Sequence, residues 1–372
     1  MKLKRIIVVV ILTTICISQF YFLSFNKSVY AEDNVEQNNN DTKYHYNQLT
    51  ELAKSIYNGM YDMYTQGVLK TGTQDYDLTT KGYITQSQLQ IYNNGNKELM
   101  DAMYAARYAF YADHPEIFYV DFSSISIRVT KDANENYHAY IGSGRYDDYY
   151  IEGFANQAEV ENAIVEFNNR VNEIVTGAIN ITVEEGKNLT TEQIKYVHNE
   201  IIYNTSYRLE DDCTPGNESH LSTPYGTLVK KQSVCEGYAR AFKTILDKLG
   251  ITCILVQGAH TTEGEATEAH MWNYVQIEEN VTTNARQSEK VWYAVDCTID
   301  DPYVRTHASS DNSEEEPGNN IVEGFENTRY LLVGAVTMNV EHFPIEEVEA
   351  AGNYKFEYPE LKTEDYGIDT VT

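Results

Sequence analysis

The chain has 372 residues, 56 of them acidic against 28 basic, for a formal charge of −28. A surface of that sign repels nucleic acid and anionic lipid, so neither is an expected partner. Five cysteines in this length exclude a disulfide-built scaffold and leave apolar burial to hold the core.

The N-terminus carries Lys2, Lys4 and Arg5, then an apolar run from Ile6 to Phe25, then Val29-Tyr30-Ala31 before Glu32. This is the layout of a secretory signal peptide over 1–31, cleaved after Ala31. The run is also long enough for an uncleaved membrane anchor. Ile15 ahead of Cys16 argues against a lipoprotein site. Cleavage removes four basic and no acidic side chains, leaving 24 against 56 and a formal charge of −32. Cys213, Cys235, Cys253 and Cys297 remain, and no C-x-x-C occurs among them. Residues 32–45 are polar and read as a disordered leader.

Residues 46–185 read as an α+β segment. Apolar residues at helical spacing run from Leu49 to Met63, and a second helix covers about 97–112 before Asp113-His114-Pro115 stops it. IFYVDF, SISIRV and YHAYIG read as short strands, and a third helix covers about 159–175. No cluster in this segment demands chemistry, and His114 reads as a turn residue.

The region 190–345 opens on a helix beginning at Thr190-Thr191-Glu192. Three strand-like pieces follow the helix that starts at KQSVCEGYARAF: 251–258, 270–277 and 291–297. A low-complexity stretch covers 308–320, and 346–372 reads as a polar tail. No internal repeat is visible.

Ser233-x-x-Glu236 has the spacing of a capping box, with Tyr238, Phe242, Ile245 and Leu249 on one face and Gly250 placed to end the helix. That box puts Cys235 at the second helical position, among unpaired amides and at the positive end of the macrodipole. A thiol there is favoured as thiolate, and the same amides can hold an oxyanion. Gln232 is a further candidate oxyanion donor. Cys253, among Ile251, Ile254, Leu255 and Val256, reads as core. A thiolate needs a base and a group to orient it. If 270–277 and 291–297 form an antiparallel hairpin, the connection is centred on Asn284, so paired positions sum to about 568. His270 and Asp296 then fall opposite one another at its open end, with His270, Trp272 and Tyr274 on one face. Each of these residues alone has an ordinary structural explanation; the set of cysteine, histidine and aspartate points to nucleophilic catalysis.

VCEGYARAF, LGITCILVQG, AHMWNYVQI and WYAVDCTIDDP together resemble the transglutaminase-like superfamily. The likeness extends upstream through IIYNTSY and YGTLVKKQSV and downstream to YLLVG and VEHFP, covering about 190–345. DHPEIFYVD also resembles the leader region of exported bacterial members. The resemblance implies an α+β chain whose papain-like core packs the cysteine helix on an antiparallel sheet carrying histidine and aspartate. It implies Cys235 as nucleophile, His270 as base and Asp296 as its orienter; Trp272 is a further candidate, for the floor of the substrate cleft. Met271, where a small residue is common, and Cys297-Thr298-Ile299 depart from the family pattern and bear on cleft shape. No calcium-ligand motif is present, and no metal or cofactor is expected. The expected function is a secreted cysteine acyltransferase or hydrolase acting on extracellular protein or peptide, with membrane contact only through the N-terminal segment. The alternatives are a catalytically silent binding or cell-surface module of the same fold, and a Cys213–Cys235 disulfide.

Overall fold

The computed structural model describes residues 43–71, 75–91, 97–144, 148–210, 214–261, 267–280, 288–302, 304–306, 328–345 and 354–367. The expected export segment, nearly all of the leader, Cys213 and the stretch 308–320 lie outside them. All described residues belong to one compact unit, Thr42–Thr372. Among them, no helix is long and apolar enough to cross a membrane.

The chain is α+β, as expected. Helices α1 (Tyr44–Gln48) and α2 (Glu51–Thr65) replace the single expected first helix. They split at Thr50, whose hydroxyl accepts the Ala53 N–H and caps α2. Leu52, Ala53, Ile56, Met60 and Met63 form its buried stripe. After α3 (Val68–Thr71), β1 (Tyr76–Asp77) and α4 (Gln86–Ile91) comes α5 (Lys97–Asp113). The buried carboxylate ending α5 accepts the N–H groups of His45 and Tyr46, tying α1 to it.

IFYVDF is not a strand. Asp121 caps a 3-10 turn at Phe122–Ser124 through the Ser123 N–H, and only Val120 makes an isolated bridge, to Tyr150. A local aspartate turn here outcompetes a ladder for the same backbone groups. The other two expected strands, β2 (Ile125–Lys131) and β3 (Tyr137–Ser143), pair as an antiparallel hairpin, extended by β1 in the order β1-β3-β2.

α6 (Gln157–Ile179) and α7 (Leu189–Ile202) follow, capped by Asn156 and Asn188, so that α7 starts one residue before the expected Thr190. These two helices, on either side of 185–190, both pack on the motif helix. β4 (Ser206–Leu209) lies parallel to β5 (Gln232–Ser233), which leads into α8 (Cys235–Leu249). Gly250, with φ of 72°, ends α8 in the left-handed region as the sequence predicts.

β6 (Cys253–His260), β7 (Glu268–Asn280) and β8 (Ser288–Val295) form a continuous antiparallel sheet. β9 (Val304–Thr306) adds to β4, while β10 (Leu331–Val333) and β11 (His342–Pro344) flank the large sheet in the order β10-β8-β7-β6-β11. The short helix α9 (Ala335–Met338) lies between those two edges in sequence.

Both faces of the large sheet are buried. One carries Cys253, Leu255, Met271 and Val275 in a cluster that runs from Leu49 to Phe356. The other carries Ile254, Val256, Trp272 and Tyr274, covered by Tyr330, Met338 and Leu361. α8 is anchored on β7 where the Asn273 amide donates to the Ala239 carbonyl at 3.0 Å. The C-terminal stretch joins this packing, with Phe356 fully buried and Leu361 bridged to Trp292.

Candidate active site

The start of α8 differs from the expected capping box. Val234 is the N-cap and offers no side-chain cap, so Cys235 is the first helical residue rather than the second. Ser233 is fully buried, and its hydroxyl donates to the Leu221 carbonyl at 3.0 Å and pairs with Thr227 Oγ1 at 2.8 Å. Glu236, the other half of the box, instead accepts the Tyr111 hydroxyl at 2.6 Å and faces Arg240 at 3.4 Å. These distant partners win because a buried hydroxyl must be satisfied where it lies. The functional consequence survives: at the first position the Cys235 N–H has no intrahelical acceptor.

Gly237 explains the glycine two residues after the cysteine. A Cβ there would sit 2.2 Å from Ser233 Oγ and 2.4 Å from the Leu221 carbonyl oxygen. Its absence lets the first turn of α8 press against the 3-10 turn Ser219–Ser222. On the other side α5 braces the helix: Arg240 lies 4.6 Å over the Tyr111 ring and donates to the Ser222 and Pro115 carbonyls.

Cys235 is a half-buried free thiol. Cys253 and Cys297 are buried, and burial pushes both thiols up from their ordinary range. Of the three, Cys235 alone is reached by solvent. It lies close enough to the His270 ring to help raise that imidazole. His270 Nε2 meets Asp296 Oδ2 at 2.6 Å, which leaves Nδ1 as the nitrogen available to the sulfur. Burial opposes charge on His270, but the Asp296 carboxylate outweighs it and raises the imidazole well above its usual value. Burial likewise opposes ionised Asp296, and the His270 charge and hydrogen bond overcome it, holding the carboxyl far below its usual range. The pair is therefore imidazolium and carboxylate.

Asp296 is fixed at both oxygens. Oδ1 accepts the N–H groups of Thr298 and Ile299 at 2.8 and 3.2 Å. Oδ2 accepts His270 and a second histidine, His342 Nε2, at 2.9 Å. Sequence reasoning missed His342. VEHFP carried no spacing signal toward Asp296, because β11 reaches the site by pairing with β6 from about 80 residues away.

Trp272 stacks on the His270 ring at 5.9 Å between centroids and is 1% exposed. It backs the imidazole rather than facing an open cleft. Gln232 lies on β5 paired with Ser206, half-exposed, and makes no hydrogen bond to Cys235, His270 or Asp296 among the described residues.

His270, Asp296 and His342 also present three ligand atoms within 4.8 Å of one another. Two imidazoles and a carboxylate are a set that divalent transition metals accept. The observed N···O separations of 2.6 and 2.9 Å are those of hydrogen bonds, shorter than the roughly 3.3 Å between neighbouring ligands of a tetrahedral ion with bonds of about 2.0–2.1 Å.

A helix presenting a cysteine at its first residue, against an antiparallel sheet supplying histidine and aspartate, defines a papain-like α+β core. Residues 178–297 match the family model of the transglutaminase-like superfamily, and this part of the chain is a transglutaminase-like domain. A solved structure, the crystal structure of a TGase, aligns at 13% identity with a TM-score of 0.26, over 51% of this chain and 48% of that one. The chain thus spans about half the length of that protein. None of the curated proteins compared with the chain matches it.

Proposed function

We propose that the protein is a cysteine acyl-transfer enzyme in which Cys235 attacks a carboxamide or peptide carbonyl of a protein or peptide. The observation that carries this reading is one buried imidazole that hydrogen-bonds a buried carboxylate and lies near enough to the half-exposed Cys235 to be raised by it. Cys235 thiolate adds to the carbonyl carbon, and the resulting oxyanion is received by the unpaired N–H at the start of α8. The His270 imidazolium gives its Nδ1 proton to the leaving amine as the C–N bond breaks, leaving a thioester and a neutral imidazole. An incoming amine or water then gives a proton to that imidazole, attacks the thioester, and releases the Cys235 thiolate. Asp296 stays ionised throughout and holds the ring orientation. Trp272 excludes water from one side of the ring.

The export-like N-terminus and the charge of −32 after its removal support action outside the cell on protein or peptide. The test is a trapped intermediate: incubation with glutamine-containing peptides, acid quench and mass spectrometry should find an acyl group on the Cys235 peptide, lost in Cys235→Ala. A folded protein that forms no such adduct with any carboxamide or peptide donor, and shows no selective reactivity at Cys235, would instead be a silent module.

A further inference from the structure

Asp296 serves two histidines, His270 and His342. We propose that His342 is a positioning residue for the acyl-transfer step, fixing Asp296 Oδ2 so that His270 is held toward Cys235; this rests on the reading of Cys235 as nucleophile. Two backbone N–H groups pin Oδ1 alone, and a carboxylate pinned at one oxygen can still swing its other oxygen about that point. The His342 N–H at 2.9 Å supplies the second pin and sets the plane in which Oδ2 meets His270.

The surroundings hold His342 itself in one orientation. It is fully buried, with its ring edge-on to Trp272 at 5.0 Å and to Tyr330 at 4.9 Å, and His260 at 4.8 Å. Its Nδ1 has no partner among the described residues, so Nε2, against the carboxylate, is the nitrogen assigned the proton. Backbone pairing of His342 with His260 on β6 sets its height along the sheet. Gly258 sets its closeness: this residue pairs with His270 on one side and Pro344 on the other. A Cβ at 258 would come within 2.3 Å of the Phe343 carbonyl oxygen and 2.5 Å of the Trp272 ring. The gap left by glycine lets the edge strand and the indole close around the two histidines.

The experiment measures the rate of Cys235 alkylation by dilute iodoacetamide, with thermal unfolding followed in parallel. His342→Phe keeps the ring and loses the donor; His342→Gln places an amide N–H near the position of Nε2; His342→Asn carries the same amide one carbon short. Outer partners of an oriented imidazole typically control about a ten- to hundredfold effect. The expected result is a slowing of about tenfold or more in Phe and Asn, most of it restored in Gln. With Asp296→Ala already present, adding His342→Phe should slow alkylation no further, since the residue acts through that carboxylate. Wild-type rates in the folded Phe or Asn variant, equal slowing in Asn and Gln, or the full slowing persisting in the Asp296→Ala background would overturn the proposal. His270→Ala is the separating control: if it slows alkylation and His342→Phe does not, only the role of His342 falls. If His270→Ala has no effect, the nucleophile reading falls and this proposal with it.

Discussion

His270 and Asp296 meet as diagonal, not opposed, neighbours of the β7–β8 hairpin. The last ladder pair is Asn273 with Val295, and Asp296 leaves the ladder to donate its N–H to the Tyr330 carbonyl. Continuing that register would set Asp296 opposite Trp272, two residues from His270 and on the same face. Diagonal residues are about 7–8 Å apart at the backbone, a gap that these two side chains close to 2.6 Å. In Asp296→Asn the Oδ1 contacts to Thr298 and Ile299 can persist while the charge on Oδ2 is lost. We expect a folded protein whose acyl-transfer rate falls by roughly a hundredfold or more, by analogy with removing the charge from a catalytic carboxylate. Acyl-enzyme formation with a peptide donor measures it.

The same pair sets a pH dependence of stability. Asp296 is held below its unfolded value of about 3.9, so its contribution is present above about pH 4 and is lost as pH falls below that. His270 is raised above about 6.5, so its contribution is whole below that pH and is lost as pH climbs through the folded value. The stability gap between wild type and His270→Gln should be widest near pH 5–6 and narrower at pH 9 and at pH 3. Urea midpoints at the three values give the comparison; a gap that widens steadily with pH would contradict the assigned charges.

Ser233→Ala distinguishes a buried anchor from a helix cap. The hydroxyl bonds the Leu221 carbonyl and Thr227 rather than the amides of α8. Its loss should destabilise by about 1–3 kcal/mol through unsatisfied buried partners, without shortening the helix. Urea unfolding gives the first quantity. Protection of the α8 amides from hydrogen exchange, relative to global stability, gives the second.

Gly258→Ala should be more severe than a surface glycine change. Its Cβ meets backbone at Phe343 and the Trp272 ring, neither of which is a flexible side-chain end. Overpacking of this kind costs about 1–3 kcal/mol. Because the strain falls between β6 and β11, slower Cys235 alkylation should accompany the lower urea midpoint. Unchanged values for both would mean that β11 is not held closely against this site.

Sequence periodicity made the motif helix, its glycine end and the three central strands legible, because one buried face repeats along each. Hairpin symmetry about Asn284 also gave the register: the observed pairs, such as Tyr274 with Ala294, match the expected index sum of about 568. Ser233 misled because its spacing to Glu236 is local, whereas Leu221, Thr227 and Tyr111 become neighbours only on folding. His342 and Gly258 were illegible for the same reason, their meaning depending on a strand pair far apart in sequence. Phe356 was hidden in a stretch of polar composition although it is fully buried.

The most direct measurement is the alkylation rate of Cys235 at low iodoacetamide concentration in wild type and in His270→Ala, read by peptide mass spectrometry. We expect Cys235 to label well before Cys253 and Cys297 in the folded protein, and His270→Ala to slow it by about a hundredfold, the scale of a lost general base. Equal Cys235 labelling rates in the two folded proteins would contradict an imidazole-activated thiolate.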